Sequence, residues 1–118
     1  MNTEVRVKRI LVPMERFSSF DGGDVGLGRV LGIYDNSPKD DSLTISENGI
    51  SWMVDNNINV LFNDIKRVSI GDDKLSDYIL ICLKNDEIIR LPVRGKNGRF
   101  SDIFEFLRFL DRVLSDLK

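Results

Sequence analysis

Few side chains in this sequence are placed for chemistry. There is no histidine, and the single cysteine, Cys82, sits inside the apolar run YILICLK. Without histidine there is no Ser-His-Asp or Cys-His arrangement and no His-containing metal site. A cysteine within an expected buried strand reads as a small core hydrophobe rather than a nucleophile. Asp40-Asp41 and Asp72-Asp73 offer carboxylate oxygens from polar loops. Neither pair has the spaced ligands and closing glutamate of a calcium loop. Nineteen acidic residues could furnish a glycosidase-like carboxylate pair almost anywhere, so such a pair singles out no site. Gly26-x-Gly28-x-x-x-Gly32 touches a phosphate-binding glycine pattern. That pattern opens a helix after a strand, whereas VLGIYD continues as a strand, so the glycines read as structural. No catalytic residue, metal or cofactor is expected.

Binding chemistry is better represented. Arg90, Arg94, Lys96 and Arg99 form a basic run, and RGKNGR could wrap an anion because its glycines let backbone amides approach. Arg94, Lys96 and Arg99 are thus candidate anion or lipid contacts, against the plainer reading of a solvated loop. Asp35, Asp40, Asp41 and Glu47 lie in a first half that is acidic overall: residues 17–64 carry eight acidic and two basic side chains. These four are candidate contacts for a basic protein partner. The net charge of −2 and a pI near 5.1 argue against nucleic-acid affinity, which needs a basic surface.

The elements that must position these residues follow from periodicity. EVRVKRILV (4–12) alternates and then turns apolar, which predicts a first strand ended by Pro13. PMERFSSFDGGD reads as a loop, with Phe17 and Phe20 either pegging it to the core or exposed as anchors. GRVLGIYD predicts a strand with Gly32 at a bulge. LTIS-ENG-ISWMV predicts a hairpin, because Asn48 and Gly49 both tolerate positive φ. INVLFNDIKRVSI predicts two short strands or one bent strand, broken at Asn63-Asp64. YILICLK reads as a central strand covered on both faces. It turns at Asn85-Asp86 into EIIRLPV, whose Pro92 marks an edge or a strand end.

The closing segment SDIFEFLRFLDRVLSDLK predicts an amphipathic helix, with Ile103, Phe106, Leu107, Leu110, Val113, Leu114 and Leu117 on an arc of about 120°. Ser101 or Asp102 would cap it, Asp102 and Glu105 resembling a capping box. Phe104 and Phe109 fall outside that arc on opposite sides. If both are exposed at its rim, they offer a patch for a partner or for a second copy of this chain.

About seven strands in a meander followed by one helix resembles the pleckstrin-homology-like superfamily, particularly its GRAM-like and bacterial members. Three segments carry the resemblance: LTISENGISW as the family's hairpin, FNDIKRVSI as its aromatic-Asp-Ile-x-x-Val segment, and YILICLKNDEIIRLPV with the following helix. It spans residues 28 to 117. The resemblance implies a partly open antiparallel barrel, mostly β, whose end is stoppered by the helix through Phe106, Leu110 and Leu114. Phe62, Ile65, Val68 and Ile70 would be core residues around a bend. The family's lipid-binding members hold phosphoinositides through basic residues of the first hairpin loop. Arg29-Val30-Leu31 breaks that pattern here, and Trp52 lies in a strand where those members place a tryptophan in the helix.

A chain of 118 residues, 42% apolar, fits a single domain able to bury its own core. No apolar run approaches the roughly 20 residues that span a bilayer. The charged N-terminus lacks the apolar run of a secretory signal, and a lone cysteine fits a reducing compartment, so the cytoplasm is expected. The functional expectation is a non-catalytic protein-binding module. One form is a bacterial immunity-type inhibitor that neutralises a basic partner. The alternative is a peripheral module for anionic membranes, using Lys8, Arg9, Arg94, Lys96 and Arg99 with Phe17 or Phe20 inserted.

Overall fold

The computed structural model describes residues 3–14, 16–19, 23, 26–36, 41–54, 56–70, 78–93 and 101–117. Apolar alternation in the middle of the chain builds two antiparallel sheets. The first runs in sequence order through β1 (Phe17–Ser19), β2 (Val30–Tyr34), β3 (Leu43–Ser46), β4 (Gly49–Met53) and β5 (Asn57–Leu61). The second runs through β6 (Ile65–Ile70), β7 (Tyr78–Leu83) and β8 (Ile88–Pro92). A 3₁₀ turn, Phe62–Asp64, joins them and accounts for the break at Asn63-Asp64. The described strands number eight, and no pairing closes the two sheets into one barrel.

Register sorts the side chains as a period of two requires. Gly32, Ile45, Ile50 and Val60 form one buried row across the first sheet, while Ser18, Ile33, Thr44, Ser51 and Asn59 form a largely polar row on its other face. In the second sheet Ile70, Ile79 and Leu91 share an inward row, as do Val68, Ile81 and Ile89. Phe62 and Ile65 are buried and Val68 and Ile70 pack against the core, as the bend requires.

Helix α2 (Ser101–Asp116) closes the core. Phe106 meets Tyr34 of the first sheet edge-to-face at 5.5 Å, and Phe109 meets Phe62 of the corner turn at 6.1 Å. The helix therefore grips the first sheet and the corner turn through aromatic contacts, which add to the burial of their large apolar area. Its first turn is tied to β2, since the Tyr34 hydroxyl donates to Asp102 Oδ2 at 2.7 Å. Glu105 accepts from Arg108 instead of serving a capping box.

Four expectations are corrected. Residues 4–12 form no strand: Thr3–Arg6 is a short helix, α1, continued by a π-helical turn, Val7–Leu11. Val7, Ile10, Leu11 and Met14 are buried and Val5 and Val12 exposed, so the i, i+3, i+4, i+7 spacing outweighs the brief alternation. The loop that follows holds β1, whose Phe17 is buried because its ring lies where a Cβ on Gly32 would be. The bulge at Gly32 is present. Phe109 is fully buried rather than at the rim, whereas Phe104 is 59% exposed. Finally, β7 is central to its sheet but unevenly covered: Ile79 and Ile81 are buried on one face, while on the other Cys82 is buried and Tyr78 and Leu80 are half-buried.

The Asn48-Gly49 hairpin forms for a different reason from the one expected. Neither residue has positive φ. Glycine is required at 49 because a side chain there would collide with the Val60 carbonyl on the paired strand. At the other hairpin, Asp86 does take φ +68°, and Asn85 Oδ1 accepts from the Glu87 N–H to hold the turn.

Candidate binding groove

Among the described residues both outer strands of the three-stranded sheet have a free edge in the strand order, but the two edges differ. β8 ends at Pro92, which has no N–H, and the Pro92 carbonyl already accepts from the side chain of buried Asn36 at 2.9 Å. That end of the edge is occupied. Among the described residues β6 is paired with β7 alone, and its other side opens onto a groove.

The groove has a volume of about 360 Å³ and lies between β6, the corner turn and the last turns of α2. Phe62, Ile65 and Val68 supply its apolar lining from the sheet side, and Leu114 and Leu117 supply it from the helix. Lys66, Arg67 and Lys84 stand around it, opposed by Asp111. Lys66 pairs with Asp86 at 3.2 Å, both side chains being largely exposed, so that pair is weak. Arg67 and Lys84 have no ion pair among the described residues. A bulge between Ile65 and Arg67 shifts the register here, which brings consecutive side chains to the groove wall. An apolar trough beside an unpaired strand edge, with basic flanks, suits an extended chain that pairs with the strand and carries acidic side chains.

The residues expected from sequence fall elsewhere. Asp35 is exposed at one end of β2, and Asp41 lies near it across the Tyr34–Leu43 pair. Glu47 lies at the opposite end of the same hairpin, next to the Val30–Ser46 pair, where its Oε1 accepts from the Arg29 N–H at 2.8 Å. These acids therefore do not form one cluster, and Glu47 is committed to the turn. Asp40, Arg94, Lys96 and Arg99 lie outside the described residues, as do Phe20 and the pair Asp72-Asp73. Phe17 is buried and so is no insertion tip, while Lys8 is exposed but paired with Glu4 at 3.6 Å. The glycine pattern at 26–32 serves backbone conformation and packing: Gly26 and Gly28 have positive φ, and Gly28 and Gly32 are closely approached by Asn48 and Phe17.

The groove residues were missed because IKRVSI shows which side chains alternate but not which strand will be an edge. The only signal was the adjacent pair Lys66-Arg67, which breaks the alternation inside a segment otherwise given to the core.

A second hollow of about 280 Å³ lies between the π-helical turn and β2, and Glu4 bridges Lys8 and Arg29 at its rim. At the far end of the helix pair, Arg6 holds Asp116 through two hydrogen bonds of 3.0 Å, and this contact keeps the Asp116 carboxyl below its usual pKa. Among the described residues no group of three or more His, Cys, Asp and Glu side chains gathers as metal ligands would, and no helix is long and apolar enough to cross a membrane.

Compared with models of protein families, with curated proteins and with solved structures, the chain matches none.

Proposed function

We propose that this protein is a non-catalytic protein-binding module built on a pleckstrin-homology-like plan. The chain order supports that plan: a sequential meander, a tight corner at Phe62–Asp64, a three-stranded meander and a C-terminal helix across both sheets. Two sheets joined through one corner and stoppered by a helix are what a partly open barrel of this kind needs. The free thiol of Cys82 is in keeping with a cytoplasmic setting.

One observation carries the binding reading: the unpaired edge of β6 borders an apolar groove with basic flanks. The partner contributes an extended segment that adds a strand to β6, sets apolar side chains against Leu114 and Val68, and directs acidic side chains to Arg67 and Lys84. Main-chain hydrogen bonds supply affinity in such a mode, and the alternate side chains supply specificity. An inhibitor acting on a basic partner would rely instead on Asp35 and Asp41, which share one end of the first sheet.

Selection of random peptides on the immobilised protein, followed by ¹⁵N chemical-shift mapping, tests this reading. The selected peptides should be rich in Asp and Glu, should shift the amides of Ile65–Ile70, Leu114 and Leu117, and should slow hydrogen exchange along β6. Peptides that map only to the Asp35–Asp41 end, or a selection that enriches nothing, would overturn it.

A further inference from the structure

We propose that the outer face of the three-stranded sheet is a second docking surface, shaped for an acidic amphipathic helix presented by a partner protein. This goes beyond the groove, with which it shares only Arg67.

Strand register defines the face. Arg67, Cys82 and Ile88 stand in one row across it, and Ser69, Leu80 and Arg90 stand in the next. Leu80, Cys82 and Ile88 thus make an apolar patch at its centre, with an arginine at each of two opposite corners. Ile88 is 63% exposed and Leu80 half-buried, while Cys82 between them is buried, so the patch meets solvent through Ile88 and Leu80. Apolar area of this kind on a sheet face is water-exposed surface that a partner would cover.

The electrostatics choose the occupant. None of the six residues is acidic. The Arg90 guanidinium is held over the Tyr78 ring at 4.9 Å, which fixes its position on the face. Arg67 has no ion pair or side-chain hydrogen bond among the described residues. Among the described residues, the β7–β8 turn carries two acids, Asp86 and Glu87, and Asp86 is paired with Lys66. Strands about 4.8 Å apart set β6 and β8 about 10 Å from one another. That matches the diameter of a helix with its side chains, about 10–12 Å. A helix lying between the two arginines places its apolar stripe on Leu80, Cys82 and Ile88. Carboxylates on both of its flanks then reach Arg67 and Arg90, in the planar charge-assisted geometry that guanidinium favours.

The test uses the full chain and a fluorescein-labelled model peptide with a leucine stripe flanked on both sides by glutamate, alongside the same peptide with lysine flanks. Fluorescence anisotropy should show the glutamate peptide binding at least tenfold more tightly than the lysine peptide, and less tightly as salt rises. Amide shifts should centre on residues 67, 80, 82, 88 and 90. Arg90→Gln should weaken binding severalfold and Ile88→Glu should abolish it, with the dispersed spectrum of a folded protein retained. Val68→Thr, in the groove, should leave it unchanged, so failure here is distinguishable from failure of the groove reading. Equal binding of the two peptides, binding of neither, or an unaffected Arg90→Gln variant would overturn the proposal. So would preferential binding to phosphatidylserine vesicles, or a dimer in sedimentation that Ile88→Glu dissolves, because each names a different occupant for the face.

Discussion

The side-chain amide of Asn36, fully buried, donates to the carbonyl of Pro92 at 2.9 Å and to that of Asp41 at 3.0 Å. One polar group thereby ties the β2–β3 connection of the first sheet to the end of β8 in the second. Its own N–H donates to Ser42 Oγ at 3.1 Å, so the residue is held from both backbone and side chain. Asn36→Ala removes the donor from two carbonyls and should cost about 2–3 kcal/mol, the usual penalty when buried acceptors lose their partner. Urea denaturation measures it directly. A loss below half a kilocalorie, as for an ordinary surface change, would mean that water replaces the amide without cost.

Tyr34→Phe isolates a single hydrogen bond. The ring keeps its contact with Phe106, while the bond to the Asp102 carboxylate disappears. Hydrogen bonds to charged groups are worth about 1.5–3 kcal/mol, and thermal unfolding should show a loss in that range. Asp102→Asn in the Tyr34→Phe background should then cost little more, because the two residues act as a pair.

The two off-arc phenylalanines of α2 should behave oppositely. Phe109→Ala opens a cavity against Phe62 and Phe106 and should cost about 3–5 kcal/mol. Phe104→Ala, at an exposed position, should stay within about 0.5 kcal/mol in the monomer. Chemical denaturation of both variants side by side decides the matter; similar losses would mean that the helix is rolled differently on its sheets.

The Arg6–Asp116 contact gives stability a specific acid dependence. Two hydrogen bonds from Arg6, with its charge, lower the Asp116 pKa from its ordinary value of 3.8. A carboxyl depressed by folding stabilises the native state at pH above its unfolded value, and that contribution disappears as pH falls through the lower folded value. Asp116→Asn should therefore be less stable than the parent at neutral pH, and the gap should narrow below about pH 4. Denaturation series at pH 7, 4 and 2.5 read out the gap; one that stays constant would show that Asp116 contributes no linkage.

Much of the fold was legible because local chemistry wrote it. Asn85-Asp86 turns the chain by itself, because Asp tolerates positive φ and Asn can accept from the backbone two residues on. The break at Asn63-Asp64 and the uninterrupted periodicity after Ser101 are equally local, and both elements formed where the pattern put them. Residues 4–12 were misread because Val5 and Val7 satisfy a strand as well as a helix over so short a window. Only burial of Ile10, Leu11 and Met14 against α2 and the sheets resolves the choice.

The candidate sites belong to the other category. Arg67 and Lys84 lie 17 positions apart in sequence and meet at the groove because β6 folds back beside β7. Arg67 and Arg90 share a face only through the register of three strands. Phe109 is buried because Phe62, 47 residues earlier, fills the flank that the helical arc alone leaves open. Gly49 owes its place to the Val60 carbonyl of another strand rather than to its own turn. The sequence by itself determined the order of the elements and which of their faces are apolar, since periodicity and turn chemistry act over a few residues. Tertiary structure alone decided which strand edge stays unpaired and which charges gather around it, because both depend on contacts between distant segments.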